Sequence, residues 1–230
     1  MNRLPIEAVV LDMDGLLIDT EPVWRVAEVA VFTALGVELT EEELMGSMGQ
    51  TIAAVVPVWR QREPAPKGGG RRLTDVEVEE RIIDLVAAEV SATGEPMAGA
   101  IEAITLLRHL ELPLAIASGS PRRMIEVVCE RLGLTGITVR CSAMGEALSK
   151  PAPDVYLTAA RRLGVSPERC LAIEDSPSGV RSAKAAGMRC IAIPDPLVAG
   201  DPAYGRADLV LGALTELDEG VLGSMGVVQR

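Results

Sequence analysis

The sequence predicts an α/β fold: a doubly wound parallel sheet with a helical segment inserted after its first strand. Three observations predict it. An apolar run, Ala8 to Leu11, ends abruptly in Asp12, Met13, Asp14 and Gly15; from about Met97 onward helix-like and strand-like segments alternate; and the stretch between shows helical periodicity without a convincing buried strand. Short apolar strands spaced by amphipathic helices give a sheet with helices on both faces, because a parallel crossover must return over one face or the other.

Taken in order, Ala8 to Leu11 reads as a strand buried on both faces. The helical stretches "EPVWRVAEVAVFTALG", "TIAAVVPVWRQR" and "DVEVEERIIDLVAAEVSA" follow, with the loop-like "EPAPKGGGRR" from Glu63 to Arg72 between the last two. The alternation then runs through helix "AGAIEAITLLRHL", strand "PLAIASGS", helix "RRMIEVVCERLG", strand "GITVRCS", helix "PAPDVYLTAARRLG", strand "CLAIEDS", helix "SGVRSAKAAG", strand "CIAIP" and finally "ADLVLG" with "LTELDEGVLG". Gly133, Gly164 and Gly187 each follow a run of helix formers, where a left-handed C-terminal cap favours glycine. The predicted domains are a catalytic core, residues 1–19 and 96–230, and a helical domain, residues 20–95, placed as a lid over the carboxyl end of the first strand.

Composition narrows the function. A chain of 230 residues with 48% hydrophobic and 24% charged content has room for a real core. Its formal net charge of −11 opposes a nucleic-acid backbone or an anionic membrane as partner, and its 2% aromatic content leaves few platforms for stacking bases. An anionic substrate therefore needs local positive charge or a metal, distant acids being screened within about 8 Å. No segment approaches the roughly 20 apolar residues of a membrane span, and "MNRLPIEAVV" is not a leader sequence, so the expected location is the cytoplasm. Cys129, Cys141, Cys170 and Cys190 lie far apart and read as free buried thiols, against a disulfide or zinc site. His109 stands alone at a helix end, which excludes Ser-His-Asp hydrolysis and histidine-rich metal sites.

In open α/β sheets ligands bind at the carboxyl ends of the strands. Four such ends are polar here: Asp12 with Asp14, Ser118 with Gly119 and Ser120, Ser149 with Lys150, and Glu174 with Asp175 and Ser176. Period-two geometry puts Asp12 and Asp14 on one side if the strand stays extended, and Gly15 frees the backbone to turn. So many carboxylates in one crevice need a cation, and Mg²⁺ suits a few carboxylates completed by water and phosphate oxygens. Lys150, Ser118 and the Gly119 amide would then hold phosphoryl oxygens, while one aspartate attacks phosphorus and the other manages protons.

The segments "DMDGLLIDTE", "ASGS", "SKPAPDVY" and "IEDSPSG" resemble the four ordered motifs of the haloacid dehalogenase-like hydrolase superfamily, whose helical cap is inserted after the first motif. The resemblance spans nearly the whole chain and implies a Rossmann-like core. It implies Asp12 as the nucleophile that forms an aspartyl-phosphate and Asp14 as general acid, then base. Ser118 and Lys150 would hold the phosphoryl group, and Asp175 with Glu174 would complete a Mg²⁺ site alongside Asp12 and the Asp14 carbonyl. Within the superfamily the chain is similar to the phosphosugar phosphatase and phosphomutase branch, from "DTEPVW" through "VVPVWRQREP" and "DPAYGRADLVLGALTEL". Mutases of that branch carry an arginine shortly after a cap glycine to grip a second phosphate, whereas "MGQTIA", Met48 to Ala53, has no basic residue. The expectation is hydrolysis of hexose or hexitol phosphates by a monomer, with Arg60, Arg62, Arg71 or Arg72 as the substitutes that would keep a mutase possible.

Each residue also has a plainer reading. Ser118 could cap the helix that starts near Pro121, a role compatible with phosphate binding; Lys150 could be a solvated loop lysine; Glu174 and Asp175 could cap the helix from Pro177. Glu21 and Trp24 open the cap helix and could face substrate, though Trp24 fits cap core equally well. A phospho-accepting signalling module like a response-regulator receiver is the rival from another class. It would lack both the second aspartate and the inserted cap. Haloacid dehalogenation would leave "IEDS" unexplained.

Overall fold

The structure is a computed structural model that describes residues 4–47, 50–65, 70–196 and 198–228. Met48 and Gly49 of "MGQTIA", and residues 66–69 of the glycine-rich loop, lie outside the described residues. In chain order the elements are β1 (Ala8–Leu11), α1 (Glu21–Ala34), α2 (Glu41–Gly46), α3 (Ile52–Trp59), α4 (Asp75–Thr93), α5 (Ala100–His109), β2 (Leu114–Ser118), α6 (Arg122–Arg131), β3 (Val139–Ser142), α7 (Asp154–Leu163), β4 (Cys170–Glu174), α8 (Pro177–Ala185), β5 (Arg189–Ala192), β6 (Leu209–Val210) and α9 (Glu219–Ser224). The chain divides into two compact units, residues 1–19 with 95–230 and residues 20–94.

The first unit holds one sheet of order β3-β2-β1-β4-β5-β6, every neighbouring pair parallel. Strand β1 is central. The chain first grows outward through β2 and β3, then returns to add β4 on the other side of β1, so the crevice at the switch point opens beyond the carboxyl ends of β1, β2 and β4. All residues of β1, β2, β4 and β5 are buried, as parallel strands covered on both faces must be. Alternation along the strands separates small from large side chains. Ala8, Val10, Ala115, Ala117, Cys141, Ala172, Cys190 and Ala192 form one face and pack with Val155, Tyr156, Ala159 and Ala160 of α7 and Val180 and Ala183 of α8. Val9, Leu11, Ile116, Ile173 and Ile191 alternate to the opposite face and are likewise buried.

The second unit is helical. Helices α1 and α3 pack on α4, burying Ala27, Val31, Phe32, Val55, Val56 and Trp59 with Val78, Ile82, Val86 and Val90. Phe32 and Trp59 meet edge to face, with ring centroids 5.2 Å apart. Trp59 is therefore the indole of this core; Trp24 is half-buried. Capping boxes Thr40/Glu43 and Thr74/Glu77 start α2 and α4.

Some local boundaries differ from the sequence reading. "TIAAVVPVWRQR" is α-helical only to Trp59 and tightens to a 3₁₀ turn over Arg60–Arg62. "LTELDEGVLG" breaks in two because the Asp218 side chain accepts from Val221 N and starts a new helix. Helix α2 was not anticipated, although Thr40-x-x-Glu43 announces it. The three helix-ending glycines do adopt positive φ: +67° at Gly133, +72° at Gly164 and +83° at Gly187.

Candidate active site

Asp12 immediately follows β1 and remains tied to the sheet, its N–H donating to the Ile173 carbonyl at 3.0 Å. The backbone then turns. Leu17 N bonds the Met13 carbonyl at 2.8 Å, Gly15 N bonds the Ile18 carbonyl at 2.9 Å, and Gly15 has φ +77°. A side chain at Gly15 would be strained and would overlap Asp175 Oδ2, so glycine here both permits the turn and admits the neighbouring carboxylate.

That turn gives the two aspartates different partners. Asp12, buried, accepts from Lys150 Nζ at 2.9 Å, and Lys150 donates also to Glu174 Oε1 at 2.6 Å. Asp14 faces the end of β2: its Oδ2 accepts from Ser118 Oγ at 2.9 Å and Ser120 Oγ at 2.8 Å. Ser118 Oγ in turn accepts from Ser120 N at 2.9 Å, and Ser142 Oγ of β3 fastens the same loop through the Ser120 carbonyl at 2.7 Å. Gly119 has open space where a side chain would stand, leaving its backbone approachable.

At the end of β4, Glu174 is fully buried and its carboxylate accepts from Lys150 and Tyr156 on Oε1, and from Asp175 N, Ser176 N and Ser176 Oγ on Oε2. Ser176 also accepts from Gly179 N at 3.0 Å and caps α8. A Cβ at Gly179 would overlap the Glu174 carboxylate, so the first turn of α8 closes directly over that group. The helix-cap reading thus applies to Ser176; Glu174 and Asp175 are turned to the cluster.

Among the described residues Asp12, Glu174 and Asp175 offer ligand atoms within 4.8 Å of one another. The Asp14 carboxylate is not in that group, being held by the serines; the part expected of Asp14 there concerned its carbonyl. Electrostatics show the strain of this crowding. Burial, the charges of Glu174 and Asp14, and incomplete relief from Lys150 push Asp12 up to about 7. Burial and the charges of Asp12 and Glu174 hold Asp175 well above the usual carboxylate range. Lys150 moves upward, burial being outweighed by its two carboxylate partners, and stays protonated. Asp175 Oδ1 is buried without a hydrogen-bond partner. An unpartnered buried oxygen within three buried carboxylates is what a hard divalent cation would satisfy, so the residues fit Mg²⁺.

Two tyrosines missed in the sequence complete the cluster. Tyr156 OH donates to Glu174 Oε1 at 2.6 Å beneath Lys150, whose Nζ lies 5.2 Å from the ring centroid, and Tyr204 OH donates to the Asp175 carbonyl at 2.5 Å. Burial first, then the nearby carboxylates, raises both phenols, which keeps them donors. Both lie in segments singled out above, but a tyrosine in an apolar helix or loop gives no sign of where its hydroxyl will reach. Glu21 lies in the other unit as the first residue of α1. All four cysteines are buried free thiols, and His109 is an exposed residue in the last turn of α5.

Four arginines of the second unit are engaged within it. Arg60 bonds Glu63, Asp75 and the Leu73 carbonyl; Arg62 pairs with Glu43; Arg71 forks onto Glu77; Arg72 bonds the Glu63 carbonyl.

Among the described residues no helix is long and apolar enough to cross a membrane. Hexitol phosphatase B of Escherichia coli (strain K12) is 41% identical to this chain over 214 residues, spanning 92% of this chain and 94% of that protein. A structure of mutant CbbY from Rhodobacter sphaeroides in complex with xylulose-(1,5)bisphosphate superposes with TM-score 0.81 at 30% identity, covering 92% of this chain and 96% of that one. A β-phosphoglucomutase from Clostridium difficile shares the fold, with TM-score 0.79 at 18% identity over 96% of each chain. Residues 6–187 match the haloacid dehalogenase-like hydrolase family, and with the ordered strand-end residues gathered at one switch point the chain belongs to that family.

Proposed function

We propose that this protein is a Mg²⁺-dependent phosphatase of small phosphorylated metabolites, hexose or hexitol phosphates foremost, acting through an aspartyl-phosphate. The observation that carries the reading is Asp12: a buried carboxylate at the head of the central strand, paired with Lys150 beside two further acids, one with an unpartnered oxygen. The likeness to a hexitol phosphatase and to a CbbY seen with a sugar bisphosphate supports the substrate class.

Asp12, Glu174 and Asp175, with the Asp14 carbonyl, would hold Mg²⁺, which supplies charge neutralisation between the acids and the phosphoryl oxygens. Lys150 stays cationic and faces the attacking carboxylate, so it can stabilise charge on the transferred group. Ser118 and Ser120 present their hydroxyls from the end of β2, with the Gly119 amide between them; because both hydroxyls donate to Asp14, gripping a phosphoryl oxygen requires one of those hydrogens to swing away. Asp12 attacks phosphorus as the ester bond to the sugar oxygen breaks, and Asp14 gives its proton to that oxygen. Asp14 then takes a proton from the water that attacks the aspartyl-phosphate, and phosphate leaves with Asp12 restored. The helical unit, residues 20–94, would be the specificity-bearing cap domain of this family.

Hydrolysis is preferred to mutase chemistry because Arg60, Arg62, Arg71 and Arg72 are engaged with carboxylates and carbonyls of their own unit and offer no ready second phosphate grip. The test is phosphate release from hexose, hexitol and triose phosphates and β-glucose 1-phosphate, with and without Mg²⁺, using Asp12→Asn as control. Mg²⁺-dependent release lost in the variant is expected. Interconversion of glucose phosphates with bisphosphate present, without release, would replace the phosphatase by a mutase.

A further inference from the structure

The chain contains two tyrosines, and both spend their hydroxyls on adjacent residues of one acidic pair. They arrive from different places. Tyr156 stands in the first turn of α7 and is fully buried; Tyr204 stands in the 3₁₀ turn Pro202–Arg206, 4% exposed, in the connection between β5 and β6. The Tyr156 hydroxyl and the Lys150 ammonium converge on the same oxygen of Glu174, each at 2.6 Å, while Oε2 is held by the backbone and side chain of the following turn. The Tyr204 hydroxyl holds the Asp175 carbonyl at 2.5 Å, fixing the peptide from which the Asp175 side chain projects. The turn carrying Tyr204 is itself anchored to α8, Asp201 accepting from Ala203 N at 2.7 Å and pairing with Arg181 at 3.5 Å. A phenol in a pocket of small residues could have been phenylalanine if only packing mattered; a buried hydroxyl must find an acceptor, and each finds one on Glu174–Asp175.

We propose that Tyr156 and Tyr204 are positioning residues that bracket the Glu174–Asp175 pair, one on its carboxylate and one on its backbone, and so hold the acidic cluster in its cation-binding arrangement. The inference rests on the reading of that cluster as a Mg²⁺ site. Groups behind metal ligands act by fixing ligand orientation, and their loss commonly weakens metal affinity or activity by about 10- to 100-fold. Neither tyrosine touches the transferred phosphoryl group in this scheme, so substrate KM at saturating Mg²⁺ should move little.

The experiment is Mg²⁺ titration of the metal-free protein by calorimetry, for wild type, Tyr156→Phe and Tyr204→Phe, with thermal unfolding of each in chelator. The expected result is Mg²⁺ dissociation constants raised about 10-fold or more in both variants, with unfolding temperatures near wild type. Unchanged dissociation constants alongside lowered unfolding temperatures would make the tyrosines merely structural and overturn the inference. Wild type that binds no Mg²⁺ would instead overturn the metal site itself, so the two failures are distinct. Should a variant not fold, protein made with 3-fluorotyrosine gives one ¹⁹F resonance for each position. Both should shift along the Mg²⁺ binding curve, and two unmoved lines would equally overturn the proposal.

Discussion

Asp12 and Asp14 stand two positions apart, yet they serve different neighbours. A turn that begins one residue past the strand sends Asp12 to Lys150 near β4 and Asp14 to the serines of β2. The proposed roles separate accordingly. Replacing Asp12 by Asn removes the nucleophile and should lower kcat at least about 10³-fold, whereas Asp14→Asn removes proton transfer and should cost about 10²- to 10⁴-fold; single-turnover phosphate release checks both. Gly179 offers a sharper steric test. A methyl there would overlap the Glu174 carboxylate, so Gly179→Ala should destabilise by about 1–3 kcal/mol and lower kcat/KM together, measured by denaturant unfolding and steady-state assay. Asp12, Asp14, Ser118 and the Glu174–Asp175 pair were legible because each ends or closely follows an apolar strand; Lys150, in the loop well beyond β3, was legible only through the segment "SKPAPDVY". Tyr156 and Tyr204 were not, because a hydroxyl that reaches a carboxylate or a carbonyl in another segment leaves no local trace.

At the scale of elements, the parallel strands declare themselves through unbroken apolar composition and the helices through their stops. Two of the differences share a cause: side chains that compete for backbone donors start helices within otherwise continuous patterns. Asp218 does so at α9, and Thr40 with Glu43 does so at α2. Helix α4 likewise opens on a reciprocal Thr74/Glu77 box, with bonds of 2.8 and 3.2 Å. Thr74→Ala should lower stability by about 1 kcal/mol, read as a reduced thermal midpoint.

For the whole molecule, the acidic cluster, on the proposed reading of it as a Mg²⁺ site, would link stability to pH and to metal. Folded Asp12 titrates near about 7, against an ordinary value of 3.8. Between those values the folded protein holds a proton that the unfolded chain has released, so metal-free stability should fall as pH rises from about 4 to about 7. Mg²⁺ at 100 times its dissociation constant should restore about 2.7 kcal/mol. Thermal midpoints in chelator and in Mg²⁺ across this window check it; a midpoint in chelator that climbs with pH would refute the cluster's electrostatics. The buried thiols make a second global test. Burial and the charges of Glu168 and Glu7 push Cys170 up to about 12, and all four thiols should resist an aromatic disulfide reagent until denaturant is added.

By itself the sequence determined the layer architecture, the helical insertion and the strand ends that carry polar residues. Those features are local: apolar runs, helical periods and abrupt polar stops are properties of neighbours along the chain. Only the tertiary structure decided which strands adjoin β1, which carboxylates share a cation-sized space, that the serines hold Asp14 while Lys150 holds Asp12, and that two distant tyrosines close on one acidic pair. These depend on contacts between segments apart in sequence, from 18 residues for Tyr156 with Glu174 to 138 for Lys150 with Asp12, and such contacts are set by packing, on which local pattern is silent.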